Sequence, residues 1–164
     1  MQKDSYHIPQ ETRIGHVHLK VSDLQRSLDF YCGLLGFKLT QMYGDQAAFV
    51  SAGGYHHHIG LNTWQSQNFP PANRDGVGLY HLAILYPTQK DLATIYKRLH
   101  LHSDLRIGAS DHGVSQALYI RDPDDNGVEL YWDRPQEEWP KTSEGELAMF
   151  TKPLRIKELL ELAD

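Results

Sequence analysis

The sequence is short of the residues that mark several classes of protein. Its 164 residues include a single cysteine, Cys32, so no internal disulfide can form and a reducing cytoplasm is expected. Set among helical residues, that thiol is expected to be a small core side chain. No apolar run approaches the length of a bilayer-spanning helix, and the polar stretch MQKDSYHIPQ holds no signal-peptide core, which argues against a membrane role. Positive charge is scarce as well. The 16 Lys and Arg against 21 Asp and Glu give a net charge of −5, and no basic cluster is available to neutralise phosphates, which argues against nucleic-acid binding. Histidine is in surplus instead, with 10 residues gathered in short patches that point to metal chemistry. At 40% apolar content the chain can bury a core, as one domain or two small fused modules.

The chain repeats itself. Residues 14–21 (IGHVHLKV) read as a strand with His16 near its start. Ser22-Asp23-Leu24-Gln25 resembles a capping box, and Leu24, Leu28, Tyr31 and Leu35 recur at helical spacing until Gly36. Strands are expected at 37–43, 46–51 and 56–64, separated by Gly44-Asp45 and Gly53-Gly54. A polar connection follows at 65–77, with Pro70-Pro71. The pattern then begins again with a strand at 79–86 carrying His81, a helix capped by Thr88 with Asp91 three residues on, and Leu92, Ile95, Tyr96 and Leu99 on its apolar face. A weak strand near Leu105 precedes a hairpin whose strands, 115–121 and 128–132, flank the turn Asp122-Pro123-Asp124-Asp125-Asn126-Gly127. Each copy reads βαβββ, so the class is α+β. The expected divisions are an extension at 1–12, modules at 13–64 and 78–135 joined by the 65–77 linker, and a tail at 136–164. In the tail Leu154, Ile156, Leu159, Leu160 and Leu162 suit a short amphipathic helix with Pro153 near its first turn.

Aligning the copies pairs His16 with His81, and the end of strand 56–64 with the strand of Glu129. In that last strand Glu129 and Tyr131 face away from Val128 and Leu130. Either histidine alone would by default be a satisfied core residue, but their equivalence in the repeat favours ligation. Two imidazoles and one carboxylate leave open positions on a non-haem ferrous ion. By strand alternation His18 and His58 are expected to line the pocket and His57 to point away. Tyr131 and Trp132 serve either packing or substrate contact, and Asp122 and Pro123 build the turn.

Over residues 13–135 these features resemble the vicinal oxygen chelate superfamily of glyoxalases, fosfomycin-resistance proteins and type I extradiol dioxygenases. The segments GHVHLKV, SAGGYHHHIGLN and GLYHLAILYP, and the succession His112, Leu118-Tyr119, Asp122-Pro123 and Glu129, are similar to the extradiol ring-cleaving group of the catechol 2,3-dioxygenase type. Three departures stand out: Gly60 where glyoxalases carry an acid, Asp125 where the ring-cleaving signature has Gly or Pro, and Ser110 at a position that signature usually fills otherwise. The resemblance implies paired βαβββ modules forming a cupped mixed sheet around a divalent metal, held here by His16, His81 and Glu129. The implied metal is Fe(II), with Mn, Ni or Zn as alternatives. It implies His112 as acid–base catalyst and Tyr119 as hydrogen-bond donor to a substrate or intermediate oxygen, with His18, His58 and Tyr131 as substrate contacts. An aromatic diol and dioxygen would be the substrates, and a homodimer the assembly. Two other readings stay open: a glyoxalase-like isomerase or lyase using nickel or zinc, and a non-catalytic binder of a small ligand.

Overall fold

In the computed structural model, which describes residues 5–71 and 73–163, the repeat is visible as two mixed sheets of matching connectivity. Module 1 has strands β1 (Val17–Lys20), β2 (Lys38–Tyr43), β3 (Ala47–Ser51) and β4 (Ile59–Asn62), in the spatial order β1-β4-β3-β2. Module 2 has β5 (Leu82–Leu85), β6 (Gly108–Asp111), β7 (Ser115–Arg121) and β8 (Gly127–Asp133), in the order β5-β8-β7-β6. In both, the first strand runs parallel to the fourth and the other pairs are antiparallel. This is the expected α+β architecture.

The helices differ more than the sheets. In module 2, α2 (Gln89–His100) is capped as expected, the Thr88 hydroxyl accepting from the Asp91 N–H at 3.1 Å. Lys97, Arg98 and His100 sit in its last turn, where the helix dipole favours cations. Leu92, Ile95, Tyr96 and Leu99 are buried, each large aliphatic side chain contributing about 2 kcal/mol of hydrophobic stabilisation. Module 1 departs from the expected single helix. Asp23, not Ser22, is the cap of α1 (Leu24–Leu28), accepting from Arg26 N–H at 2.9 Å. Ser22 instead binds Asp124 of the other module through both its N–H and its hydroxyl. Past Leu28 the chain widens into a π-helical stretch, Asp29–Leu34, closed by Leu35 N–H on the Phe30 carbonyl. Its freed carbonyls find a partner in α2: Arg98 donates to Leu34 and Gly33 oxygens at 2.8 and 2.7 Å. Gly36, at φ +87°, then turns the chain out of the helix.

Other elements shift from their expected places. The strand near Leu105 forms later, as β6, and strands 14–21 and 79–86 are trimmed so that His16 and His81 each stand one residue before their strand. Pro153 is not in a helix. It pairs as part of edge strand β9 (Lys152–Pro153) on β6, where the missing N–H costs nothing if it faces solvent, and the tail helix is only α3 (Ile156–Leu160). Leu154 and Leu159 of this tail are buried, and one apolar core runs through both modules. Among the described residues no helix is long and apolar enough to cross a membrane.

Candidate metal and acid–base site

Module 2 presents a hydrogen-bonded row of functional side chains along one sheet face. Register places Ala83 of β5 and Tyr119 of β7 on either side of Glu129 in β8. His81, just before β5, brings Nε2 to 2.9 Å from Glu129 Oε2. The Tyr119 hydroxyl donates to Glu129 Oε1 at 3.1 Å and lies 2.6 Å from His112 Nε2. His112 Nδ1 in turn lies 3.2 Å from both the Phe150 carbonyl and the Thr151 hydroxyl of the tail. Proton counting orients this row. Tyr119 has one hydroxyl proton, and once that is given to Glu129 its oxygen can only accept, so His112 Nε2 must carry the hydrogen between them. Burial and the neighbouring Glu129 carboxylate push the Tyr119 phenol above its ordinary pKa.

Close backbone packing makes the row possible. A side chain at Gly127 would run into the Tyr80 carbonyl and come within 3.0 Å of His81 Cβ, so only glycine lets β8 approach the segment that carries His81. Gly113, at φ +78°, leaves the space that Phe150 and Pro140 of the tail fill beside His112. A cavity of about 310 Å³ opens in front of the row, lined by Tyr80, His81, Ser110, His112, Tyr119 and Thr151 among others.

Of the remaining expected residues, His16, His18 and His58 lie on module 1 and Tyr131 on β8 of module 2. His16 is exposed and packs against His57, ring centroids 4.4 Å apart. It lines a second, largely apolar cavity of about 280 Å³ between the starts of β1 and β5, with Phe37, His58, Leu82, Ile84 and Leu85. His58 lines it too, its Nδ1 accepting from the Ala52 N–H at 3.3 Å and meeting the Ser51 hydroxyl at 2.9 Å. His18 and Tyr131 line neither cavity: His18 lies over Gly60, and Tyr131 stands two residues beyond Glu129. His57 turns toward His16, not away, because residues 56–58 precede β4 and strand alternation does not apply to them.

The structure therefore joins His81 to Glu129 and leaves His16 on the neighbouring module edge. Among the described residues, no three His, Cys, Asp or Glu side chains are gathered closely enough to hold a metal ion. The module 2 pair nonetheless suits a cation. His81 Nδ1 is buried with no hydrogen-bond partner while Nε2 abuts a carboxylate that is itself 12% exposed, and imidazole with carboxylate is a common donor set for divalent ions.

The sequence profile of the Glyoxalase/Bleomycin resistance protein/Dioxygenase superfamily matches residues 13–130, the two modules just described. The chain belongs to this superfamily. It is 41% identical over 156 residues to the catechol-2,3-dioxygenase of Bacillus subtilis (strain 168), covering 95% of this chain and 54% of the relative. It is 32% identical over 122 residues to biphenyl-2,3-diol 1,2-dioxygenase 3 of Rhodococcus globerulus, covering 74% of this chain and 63% of that protein. The chain thus spans about half to two thirds of the length of these relatives. Among solved structures, lactoylglutathione lyase from Agrobacterium tumefaciens shares the fold at a TM-score of 0.58 and 21% identity, over 76% of this chain and 96% of that one. A superfamily domain from Frankia sp. EAN1pec does so at 0.61 and 23%, over 75% and 98%. The tail residues Phe150 and Thr151, which hold His112, lie outside the profile match, and no motif in the sequence marked them.

Proposed function

We propose that the protein is an Fe(II)-dependent extradiol dioxygenase that cleaves the ring of a catechol-like diol. The observation that carries this reading is the continuous hydrogen-bonded row His81, Glu129, Tyr119, His112, which sets an imidazole–carboxylate pair beside an acid–base histidine. The likeness to two diol dioxygenases supports it. His81 and Glu129 would hold the metal, while His16, the third donor that the resemblance implies, stands apart from them on module 1; bound iron would supply open positions at which diol and dioxygen meet.

The protein's own groups do the rest. Tyr119, with its phenol held protonated, keeps Glu129 oriented through one oxygen and leaves the other to the metal. His112 is within reach of the cavity and can pass a proton to or from a substrate hydroxyl, an exchange suited to imidazole near neutral pH. The tail contacts fix its ring so that Nε2, not Nδ1, faces the cavity side. Gly60, at the place of a second acid in module 1, weighs against an isomerase that would need four protein ligands. A homodimer in a reducing cytoplasm is the accompanying expectation.

Anaerobic reconstitution with Fe(II), followed by exposure of a panel of catechols to air-saturated buffer, tests the proposal. The expected result is a yellow ring-fission product and oxygen uptake in equal amounts. Iron bound at one per chain with no product from any catechol would sink the activity, and a chain that takes up no metal would leave only a binding protein.

A further inference from the structure

The two cavities have opposite linings. The one that His16 lines is largely apolar, walled by Phe37, Leu82, Ile84 and Leu85. The one of about 310 Å³ in front of the module 2 row is lined with donors. Tyr80, Ser110, Tyr119 and Thr151 bring hydroxyls to it, His81 and His112 bring imidazoles, and Arg121 brings a guanidinium. Among the described residues no Asp or Glu lines it, although acids outnumber bases 21 to 16 in the chain. The carboxylate behind it, Glu129, is already engaged by His81 and Tyr119. Such a lining favours an anion, because hydrogen bonds to a full negative charge are the stronger kind.

Arg121 is the one permanent cation of the lining. It follows Tyr119 by two residues on the same face of β7, about 7 Å along the strand. Its partner across the hairpin is Gly127, which has no side chain to cover it. One guanidinium N–H donates to the Asp125 carbonyl at 2.9 Å. The turn closes without that bond, through the Asp122 N–H on the Asn126 carbonyl at 3.0 Å and the Asp125 N–H on the Asp122 carbonyl at 2.9 Å. The carboxylate of the same turn, Asp125, has both oxygens on Arg74. Among the described residues no acid is paired with Arg121, so most of its five donors stay open beside the cavity.

We infer that the substrate of the module 2 site carries a carboxylate on its ring, and that Arg121 is the specificity-determining residue that receives it. The inference takes its diol end from the dioxygenase reading above and its acid end from Arg121 alone. The step from Tyr119 to Arg121 is on the scale of one substituted ring, so a single molecule can meet the row with its diol and the guanidinium with its acid. A guanidinium fork takes both oxygens of a carboxylate in its own plane. A bare catechol would leave Arg121 facing water and gain nothing from it.

Three ring acids test this, each beside its uncharged amide of the same shape: 2,3-dihydroxybenzoate, 3,4-dihydroxybenzoate and 3,4-dihydroxyphenylacetate. Binding is read anaerobically by calorimetry on the full chain, with and without Fe(II), and turnover is read in air. The parent should bind at least one acid about tenfold more tightly than its amide, the worth of a hydrogen bond to a charged group, and the margin should shrink as salt rises. Arg121→Gln should erase the margin. Arg121→Lys should keep part of it, because the charge remains while the fork is lost. Arg121→Met, which retains the apolar stem, takes the place of the glutamine variant should that one melt below the parent. A parent with no preference for any acid over its amide would overturn the inference, as would a preference that survives in Arg121→Gln. Equal turnover of acids and amides would overturn it and leave the dioxygenase reading intact, whereas an Arg121-dependent preference with no diol turned over would uphold the acid end and overturn that reading instead.

Discussion

The connection between β3 and β4 and the connection between β7 and β8 occupy equivalent places in the two modules and have opposite contents. The first is Ala52 to His58, rich in glycine and histidine and mostly exposed, with His56 and His57 bonded chiefly to each other, Nδ1 to Nδ1 at 2.7 Å. The second is Asp122 to Asn126, rich in carboxylates and pinned to module 1. Asp122 is buried and accepts from the Asp124 and Asn126 N–H groups, from the Asn126 side chain at 2.9 Å, and from the Tyr31 hydroxyl at 2.9 Å. Asp124 accepts from Ser22 and, at 2.6 Å, from Arg26. Arg74 of the linker pairs with Asp125 on the outer side. The difference teaches how a duplicated fold divides its work: one copy of a turn fastens the modules together, and the other is left free to bring imidazoles beside the cavity.

If module 2 carries the acid–base chemistry, His112→Phe should produce the largest effect. The variant should keep its metal and lose about a hundred- to ten-thousand-fold in kcat, while His56→Phe in the free turn should change kcat far less. Metal analysis with steady-state rates decides this. Loss of metal from His112→Phe would mean that it is a ligand, and a parental rate would make it an ordinary loop residue.

The fastening role of the second turn predicts the next largest change. Asp122→Ala strands the buried Tyr31 hydroxyl and two backbone N–H groups, so urea unfolding should show a loss of about 2–3 kcal/mol, whereas Gly53→Ala, in the free turn, should cost mainly the strain of its positive φ. A pH series sharpens the point. Burial pushes the Asp122 carboxyl above its ordinary 3.8, only partly offset by its hydrogen bonds. An acid held above its unfolded value contributes stability that is full below the unfolded pKa and lost as pH rises through the folded one. The parent's margin over Asp122→Ala should therefore narrow as pH climbs out of the carboxylate range, and a margin that widens would show that hydrogen bonding outweighs burial.

The smallest effect probes what the modules share. Both helices open on one side-chain cap, Asp23 on Arg26 N–H and Thr88 on Asp91 N–H. Asp23→Ala and Thr88→Ala should each cost about 1 kcal/mol in the same denaturation experiment, and the two losses should add. A much larger loss at Asp23 would show that the adjoining π-helical stretch depends on its cap, making the helices as unlike in energy as they are in shape.

The capped helix α2, the hairpin of β7 and β8, and the equivalent places of His16 and His81, each one residue before the first strand of its module, were legible in the sequence, because caps, turn residues and the periods of helix and strand act over a few neighbouring positions and a repeat is a pattern of such local signals. The π-helical stretch, the late start of β6 and the strand made by Pro153 were not, since each answers to a partner distant in sequence. The site divides the same way. Glu129 on the open face of its strand followed from alternation, but its meeting with His81 needed the parallel pairing of β5 with β8 and the close approach at Gly127. His112 is aimed by residues 38 and 39 positions further along the chain, and Tyr31 is satisfied by a carboxylate 91 positions away. Those contacts carry no local signature, because a hydrogen bond across the fold constrains where two side chains end in space and not the residues that surround either of them in the chain.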